Sequence, residues 1–280
     1  MLLRMGRSTR LDPENGWHHV MNRGAARQRI FFDAGDGRKF ESLIGLHAER
    51  HGVEVHAHCL MTNHFHLLLH CPDGGLSSFM HGLSASYARH ANDRKGTDGP
   101  LFRGRFRSLL VDSEAYVATV GRYIHRNPTD LPGDVDLVAY RWSSLQYYAG
   151  RRPAPAWLTT SVLKAGFPLA ADYVRFVEGD AGAAGSVRWA VATALAELDD
   201  AAFDSSRAGR CLAAAMLDLA PPEVRADIDE WLRFPTPKAR TVAVARARRR
   251  TADDEQFAAA TRRALELCGP SAAGRADHVA

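Results

Sequence analysis

Two histidines, His64 and His66, flank a phenylalanine inside the apolar run Leu60 to Leu69. Successive side chains of a strand point to opposite faces, so this spacing places both imidazoles on one face, with Phe65 buried behind them. Imidazole is a common ligand of divalent metal ions, and two on alternate strand positions can share one ion. The pair therefore predicts half of a metal site.

A tyrosine and an asparagine further along the chain, Tyr123 and Asn127, have the spacing of neighbours on one helix face. The carboxamide of Asn127 is a candidate third ligand, and the phenol of Tyr123 is a candidate nucleophile beside the metal. Tyr116 lies on the same helical stripe and is a competing nucleophile. We favour Tyr123 because only this tyrosine has the carboxamide one turn later.

A second histidine pair, His56 and His58, has the same spacing on the preceding strand. The polar residues of this segment alternate with Val53, Val55 and Ala57, as in a half-exposed strand. We interpret this pair as structural, and it is the next candidate should His64 prove dispensable.

The elements that must position these groups can be read from periodicity and turn signals. A strand is predicted over residues 16–23, a helix over 33–50, a hairpin over 53–61 and 64–71, a helix over 76–94, a strand over 101–111, and a helix that Asp112 or Ser113 caps and Pro128 ends. The order β-α-β-β-α-β-α is the split βαβ arrangement. We therefore predict an α+β, ferredoxin-like fold: an antiparallel sheet with helices on one face.

Residues 151–155, Arg-Arg-Pro-Ala-Pro, have the composition of a linker. We therefore predict two domains, residues 1–154 with the candidate site and residues 155–280 as an α-helical C-terminal extension. Helices are predicted in the extension at 157–165, 187–198, 209–219, 222–232 and 253–267.

The composition is that of an ordinary globular protein, with 280 residues, 46% of them hydrophobic and 24% charged. Four cysteines without a C-x-x-C pair do not describe a disulfide scaffold and favour a reducing cytoplasm. The N-terminus lacks the apolar core of a signal peptide, and no stretch approaches the ~18 apolar residues of a membrane span. We therefore expect a cytoplasmic protein that does not bind membranes.

The formal charge of +4 is modest, but the basic residues are clustered. One cluster, close in sequence to the candidate site, suits binding to a polyanion. It comprises Arg94, Lys95, Arg103, Arg105 and Arg107. On the predicted strand the last three alternate, so they can face one side and contact phosphates. A further six basic residues lie between Lys238 and Arg250, where a solvated basic helix and a DNA-gripping one are both open.

Four sequence blocks make the chain resemble the single-tyrosine HUH transposases, also called insertion-sequence-200-like, and specifically their branch of REP-associated tyrosine transposases. The blocks are HHVMNRGAARQRIFFD, HCLMTNHFHLLLHCP, LFRGRFRSLLVDSEAYV and RYIHRNP, and the resemblance covers roughly residues 15 to 150. It implies that His64, His66 and Asn127 bind Mg²⁺ or Mn²⁺ and that Tyr123 is the nucleophile. Asn127 replaces the glutamine of ordinary insertion-sequence relatives, as it does in this branch.

The resemblance further implies a transposase-like endonuclease and strand transferase. Such an enzyme cuts single-stranded DNA at REP-type hairpins through a 5′-phosphotyrosine intermediate. We accordingly expect single-stranded or hairpin DNA as the partner and a nucleoid-associated location. Two other functions stay open at this point: a non-catalytic protein that binds hairpin nucleic acid, and a hydrolytic metal-dependent nuclease in which water attacks. Monomer and homodimer are both open as well.

Overall fold

The computed structural model describes residues 12–111, 116–179, 190–191, 193–194 and 205–268. The chain forms two compact units, Met1–Glu178 and Gly179–Ala280. The first unit extends 24 residues beyond the boundary at residue 154 that composition suggests.

A four-stranded antiparallel sheet forms the centre of the first unit. Its strands are β1 (Gly16–Arg23), β2 (Glu54–Met61), β3 (His64–Cys71) and β4 (Arg107–Val111), in the spatial order β2-β3-β1-β4. Helix α1 (Ala34–His51) connects β1 to β2, and helix α2 (Leu76–Lys95) connects β3 to β4. The chain order is βαββαβ, so the predicted α+β class with a split βαβ arrangement is confirmed.

The pairing between strands shows which side chains share a face of the sheet. Residues directly opposite one another project to the same face. His64 lies opposite Arg23, and His66 lies opposite Met21. We call the side that carries these residues the histidine face. The other side, which carries Phe65, is the core face.

Helices α1 and α2 cover the core face and bury the main hydrophobic core. Asp33 caps α1 by accepting hydrogen bonds from the amides of Gly35 and Asp36, and Gly52 ends it with a left-handed backbone at φ +63°. Apolar residues at three- and four-residue intervals then face the sheet. They include Phe40, Leu43 and Ile44 of α1 and Phe79, Leu83 and Tyr87 of α2.

Strand β4 is shorter than the sequence predicts, because it pairs with β1 only from Arg107, opposite Met21. The preceding residues form a loop that is fastened to the end of β1. The amide of Arg103 donates to the carbonyl of Arg23 at 2.9 Å, and the Asn22 side chain donates to the carbonyl of Gly104 at 3.3 Å. The prediction that Arg103 and Arg105 alternate on a strand is therefore wrong, although the loop lies at the His64 end of the sheet.

Helix α3 (Val117–Arg126) packs on β2 and β3, and Asn127–Asp130 continues it as a 3₁₀ turn. Its contacts with the side chains of the histidine face place it opposite α1 and α2. The predicted end before Pro128 is confirmed. The predicted caps, Asp112 and Ser113, lie outside the described residues.

The segment after α3 completes the first unit by covering the exposed edge of β2. Main-chain hydrogen bonds tie residues 142–144 and Thr159 to β2. Two short helices, α4 (Leu145–Tyr148) and α5 (Ser161–Lys164), are followed by α6 (Ala170–Glu178). Leu163 and Tyr173 are buried in this unit, which explains why the Pro-rich stretch at 151–155 is an exposed connection and not a boundary.

The described part of the second unit is helical. It contains α7 (Ser205–Met216), α8 (Pro222–Leu232), α9 (Pro237–Asp253) and α10 (Glu255–Leu267). Leu212, Ile228, Ala247 and Phe257 are buried among these helices. The predicted helix at 187–198 lies largely outside the described residues.

The basic residues between Lys238 and Arg250 lie on helix α9, which was not among the five helices predicted for the extension. Three of its arginines form ion pairs: Arg240 contacts Asp229 at 2.8 Å, Arg248 contacts Asp218 at 2.5 Å, and Arg250 contacts Asp254 at 3.9 Å. Among the described residues, no helix has the length and hydrophobicity that crossing a membrane requires.

Candidate active site

His64 and His66 project from β3 on the histidine face, as the sequence predicts. Their ring centroids lie 5.1 Å apart. His64 Nδ1 is 2.7 Å from the side-chain oxygen of Asn63, and His66 Nδ1 is 2.9 Å from His19 Nε2. When a histidine donates through Nδ1, the lone pair of Nε2 is left for a metal ion. The contact to Asn63 favours this tautomer for His64.

Asn127 and Tyr123 reach the same place from the end of α3. The Asn127 side chain donates to the carbonyl of Tyr123 at 3.0 Å, which satisfies one carbonyl at the helix end and fixes the amide plane. The Asn127 side chain also lies beside the His64 ring, where it acts to raise the pKa of the imidazole against the larger effect of burial. The ring of Tyr123 lies edge-on to His66, with centroids 5.7 Å apart. The four predicted site residues therefore come together within one chain.

His19 of β1 is a member of the site that sequence reasoning missed. It is fully buried, hydrogen-bonded to His66, and its ring lies 5.3 Å from that of Tyr123. The repeated histidines at 18 and 19 were visible, but the spacing along one strand does not reveal which of them faces β3. The observed register places His19 on the histidine face.

The electrostatic environment favours neutral imidazoles. Burial lowers the pKa of His64 to about 4, assisted by the positive charge of Arg23, whereas the Asn127 side chain acts in the opposite direction. Burial alone lowers the pKa of His19 to about 3. A histidine must be deprotonated to bind a metal ion. The donor set of two imidazoles and one carboxamide oxygen therefore fits a divalent ion held by His64, His66 and Asn127.

A buried polar network holds α3 in position. Tyr173 Oη is 3.0 Å from His125 Nδ1, and His125 Nε2 is 2.8 Å from Ser144 Oγ. Ser144 in turn donates to the carbonyl of His58 on β2. Arg122 and Arg126 donate to main-chain oxygens at the end of α6. These contacts fix the helix that carries Tyr123 and Asn127 relative to the sheet.

The predicted DNA-contacting arginines divide between two places. Arg107 lies on the histidine face, across β1 from the site strand, while Arg103 and Arg105 are exposed on the loop fastened to Arg23. Arg23 is directly opposite His64 and was not among the residues predicted to contact DNA. These four basic residues surround the His64 end of the histidine face.

Arg94 and Lys95 are not brought to this site. They end α2, which covers the core face. Arg94 forms ion pairs with Asp33 at 2.7 Å and Asp36 at 2.6 Å, and these carboxylates raise its pKa. The Lys95 ammonium lies 3.8 Å above the ring of Phe32. Their predicted contact with DNA stays a prediction.

The competing pair His56 and His58 does not converge. The register between β2 and β3 shifts between Val55 and Ala57, so that His56 is the extra residue of a β-bulge. His56 contacts Glu54 and the ring of Trp17, whereas His58 reaches Glu41 of α1 on the core face. A bulge therefore directs two residues of equal parity to opposite faces, and this pair cannot share one ion.

Comparison with known proteins gives one family match. Residues 14–127 match the model of the family described as IS200-like transposases. The fold is similar to that of a REP-associated tyrosine transposase bound to a REP hairpin, with 16% identity over 56% of this chain and 93% of the other, at a TM-score of 0.45. A Deinococcus radiodurans protein assigned as a transposase gives 21% identity over 44% of this chain and 97% of the other, at a TM-score of 0.31. A search of curated proteins gives no match.

The matched segment begins just before β1 and ends at Asn127, so it spans both site histidines, the tyrosine and the asparagine. Over residues 14–127, the chain is similar to the IS200-like transposase family.

Proposed function

We propose that the protein is a metal-dependent endonuclease and strand transferase of single-stranded DNA in which Tyr123 is the nucleophile. The observation that carries the proposal is the meeting of His64, His66, Tyr123 and Asn127 on one face of a single chain. A core position would explain one buried polar aromatic residue. It does not explain two imidazoles, a carboxamide and a phenol held together by separate elements.

The chain's own residues suit an in-line displacement at phosphorus. The Tyr123 oxygen forms a bond to the phosphorus, the bond from phosphorus to the 3′ oxygen breaks, and the phenolic proton passes overall to the departing 3′-hydroxyl. The product is a 5′-phosphotyrosine. A divalent ion held by His64, His66 and Asn127, for which we propose Mg²⁺ or Mn²⁺, would supply neutralisation of negative charge on the scissile phosphate.

The basic residues around the site suit the substrate backbone. Arg23, Arg107 and the loop with Arg103 and Arg105 put positive charge at the end of the sheet where His64 lies. Such contacts position a nucleic acid without reading its bases. The preference for REP-type hairpins rests on the resemblance of the sequence blocks to the REP-associated branch.

The test is an adduct assay with wild type and Tyr123→Phe. Each protein is incubated with Mn²⁺ and labelled single-stranded hairpins from the flanks of its own gene, and the products are separated on a denaturing gel. We expect a labelled protein band with wild type only, while Tyr123→Phe retains hairpin binding. Tyr116→Phe is the matched control and should still form the adduct.

Three outcomes would contradict the proposal. An adduct that persists in Tyr123→Phe and disappears in Tyr116→Phe would move the nucleophile to Tyr116. Cleavage without any adduct in both proteins would identify water as the nucleophile and a hydrolytic nuclease. Hairpin binding without cleavage by wild type, over a panel of flanking hairpins, would favour a binding protein.

A further inference from the structure

A second cluster of metal-ligating side chains lies at the end of the sheet remote from His64. It consists of Asp12, His18 and Cys71, which together offer one oxygen, one nitrogen and one sulfur atom within 4.8 Å of one another. His18 and Cys71 are fully buried on the core face. His64 and Cys71 occupy opposite ends of β3, roughly 20 Å apart at the rise of a strand, so this cluster is separate from the candidate active site.

Two atoms of the cluster are buried without hydrogen-bond partners. They are His18 Nε2 and Asp12 Oδ1, and 3.9 Å separates them. That distance is too long for a hydrogen bond. Buried polar atoms are nearly always satisfied, so two orphaned atoms that face each other indicate a missing group between them.

The backbone leaves space beside these atoms. Gly16 of β1 lies directly opposite Cys71. A Cβ at this position would lie 2.8 Å from His18 Nε2 and 2.8 Å from the carbonyl oxygen of Pro13. Any side chain at Gly16 would therefore fill the space next to the imidazole nitrogen.

The histidine is also oriented as a ligand would be. His18 Nδ1 is 3.1 Å from Ser108 Oγ on β4. If Nδ1 donates to this hydroxyl, the lone pair of Nε2 points towards Asp12 and Cys71. Hydrogen bonds of this kind fix the tautomer of metal-binding histidines.

We propose that Asp12, His18 and Cys71 bind one divalent transition-metal ion of the zinc class. Sulfur, imidazole nitrogen and carboxylate oxygen are the ligands of zinc, at about 2.0–2.3 Å, and atoms that share one ion at those lengths lie about 3–4 Å apart. A thiolate and an imidazole disfavour Mg²⁺, which selects oxygen. On binding, the Cys71 sulfur forms a bond to the ion and its proton is released to solvent. The ion would fasten the segment before β1 to the end of β3.

A neighbouring cluster of Glu54, His56 and His70 has comparable spacing but does not contain two facing atoms without hydrogen-bond partners. Glu54 Oε2 lies 3.3 Å from His56 Nε2 and 3.0 Å from His70 Nδ1. Two imidazoles face one carboxylate oxygen there, so the three atoms that would bind an ion already have partners. It is therefore a competing site that the experiment must distinguish.

The experiment is a titration of the reduced full-length protein with Co²⁺ alone, followed by absorption spectroscopy. A Co²⁺–thiolate bond gives a charge-transfer band in the near ultraviolet that oxygen and nitrogen ligands do not give. We expect a band that grows to saturation as Co²⁺ is added, disappears in Cys71→Ala and persists in Cys59→Ala. Cys59 is the matched control because it is a fully buried cysteine of the same sheet.

Absence of the band in wild type would overturn the proposal. So would a band that survives Cys71→Ala or that is lost in Cys59→Ala. Should circular dichroism show that Cys71→Ala is unfolded, Asp12→Asn decides, because the Asp12 side chain is 24% exposed and asparagine has the same shape without the negative charge. We expect this variant to weaken Co²⁺ binding at least tenfold, and an unchanged affinity would overturn the proposal.

Discussion

The close approach of α3 to its neighbours can be tested with Gly121→Ala. Gly121 lies two residues before Tyr123, on the side of α3 that meets α5 and α6. An added Cβ would lie 2.8 Å from one Leu163 methyl group, 3.1 Å from the other and 3.2 Å from the hydroxyl of Tyr173. Ordinary van der Waals contact begins at 3.4 Å, so the closest pair is about 0.6 Å too near.

Two effects of opposite sign decide the outcome. Alanine in place of glycine in a helix interior stabilises a protein by about 1 kcal/mol. Overpacking of a filled core destabilises it by about 1–3 kcal/mol. Leu163 is 1% exposed, and Tyr173 is held by its hydrogen bond to His125, so neither neighbour can yield easily. We expect a net loss of about 0–2 kcal/mol in the free energy of unfolding and a shift of α3 by some tenths of an ångström.

The assays are urea unfolding and the rate of adduct formation, compared with the double variant Gly121→Ala, Leu163→Ala. Removing the two methyl groups removes the contact, so the double variant should be more stable than the two single changes predict by about 1–3 kcal/mol. A misplacement of a reacting group by 1 Å can cost a hundredfold in rate, so we expect the adduct rate of Gly121→Ala to fall about tenfold. A protein stabilised by about 1 kcal/mol with an unchanged adduct rate would refute this reasoning.

Three further predictions concern the network, the substrate and pH. Tyr173→Phe leaves one buried nitrogen of His125 without a partner. We therefore expect the free energy of unfolding, measured by urea titration, to fall by about 1–3 kcal/mol. No loss would mean that the Tyr173 hydroxyl does not support α3. Arg105→Gln should reduce the slope of log affinity against log salt concentration by about 0.7 for single-stranded DNA. Arg94→Gln should leave this slope unchanged, because the charge of Arg94 is engaged by carboxylates on the core face. Equal effects of the two variants would place Arg94 at the DNA interface. Burial holds the pKa of His56 at about 4, against about 6.5 in the unfolded chain, so the unfolded chain binds the extra proton and stability should fall as pH decreases from about 6.5 to 4. His56→Gln should flatten that part of the curve, and an unchanged slope would contradict it.

Periodicity and turn signals were sufficient to predict the order of strands and helices and the side of β3 that carries His64 and His66. The spacing of Tyr123 and Asn127 likewise predicted their shared place at the end of α3. These features depend only on local geometry, since a strand has a period of two and a helix a period near four.

The features that sequence alone did not provide all depend on pairing between distant segments. Alternating arginines at 103–107 resemble a strand, yet pairing with β1 begins only at Arg107, so the loop could not be recognised locally. His56 and His58 have the parity of a ligand pair, and one extra residue in β2 separates them. The contact between His19 and His66 requires the register of β1 against β3, which no single strand encodes.

The register of β1 against β3 also keeps the hydrophobic core on one face of the sheet and the site residues on the other. A slip of one residue would exchange the faces, moving His66 into the core and Phe65 to the site. The core-face residues Val20, Leu67 and Leu69 are fully buried against α1 and α2, so such a slip would expose them. The hydrophobic core on one face therefore fixes the position of the imidazoles on the other, which leaves α3 as the element whose placement adjusts Tyr123 and Asn127 to the site.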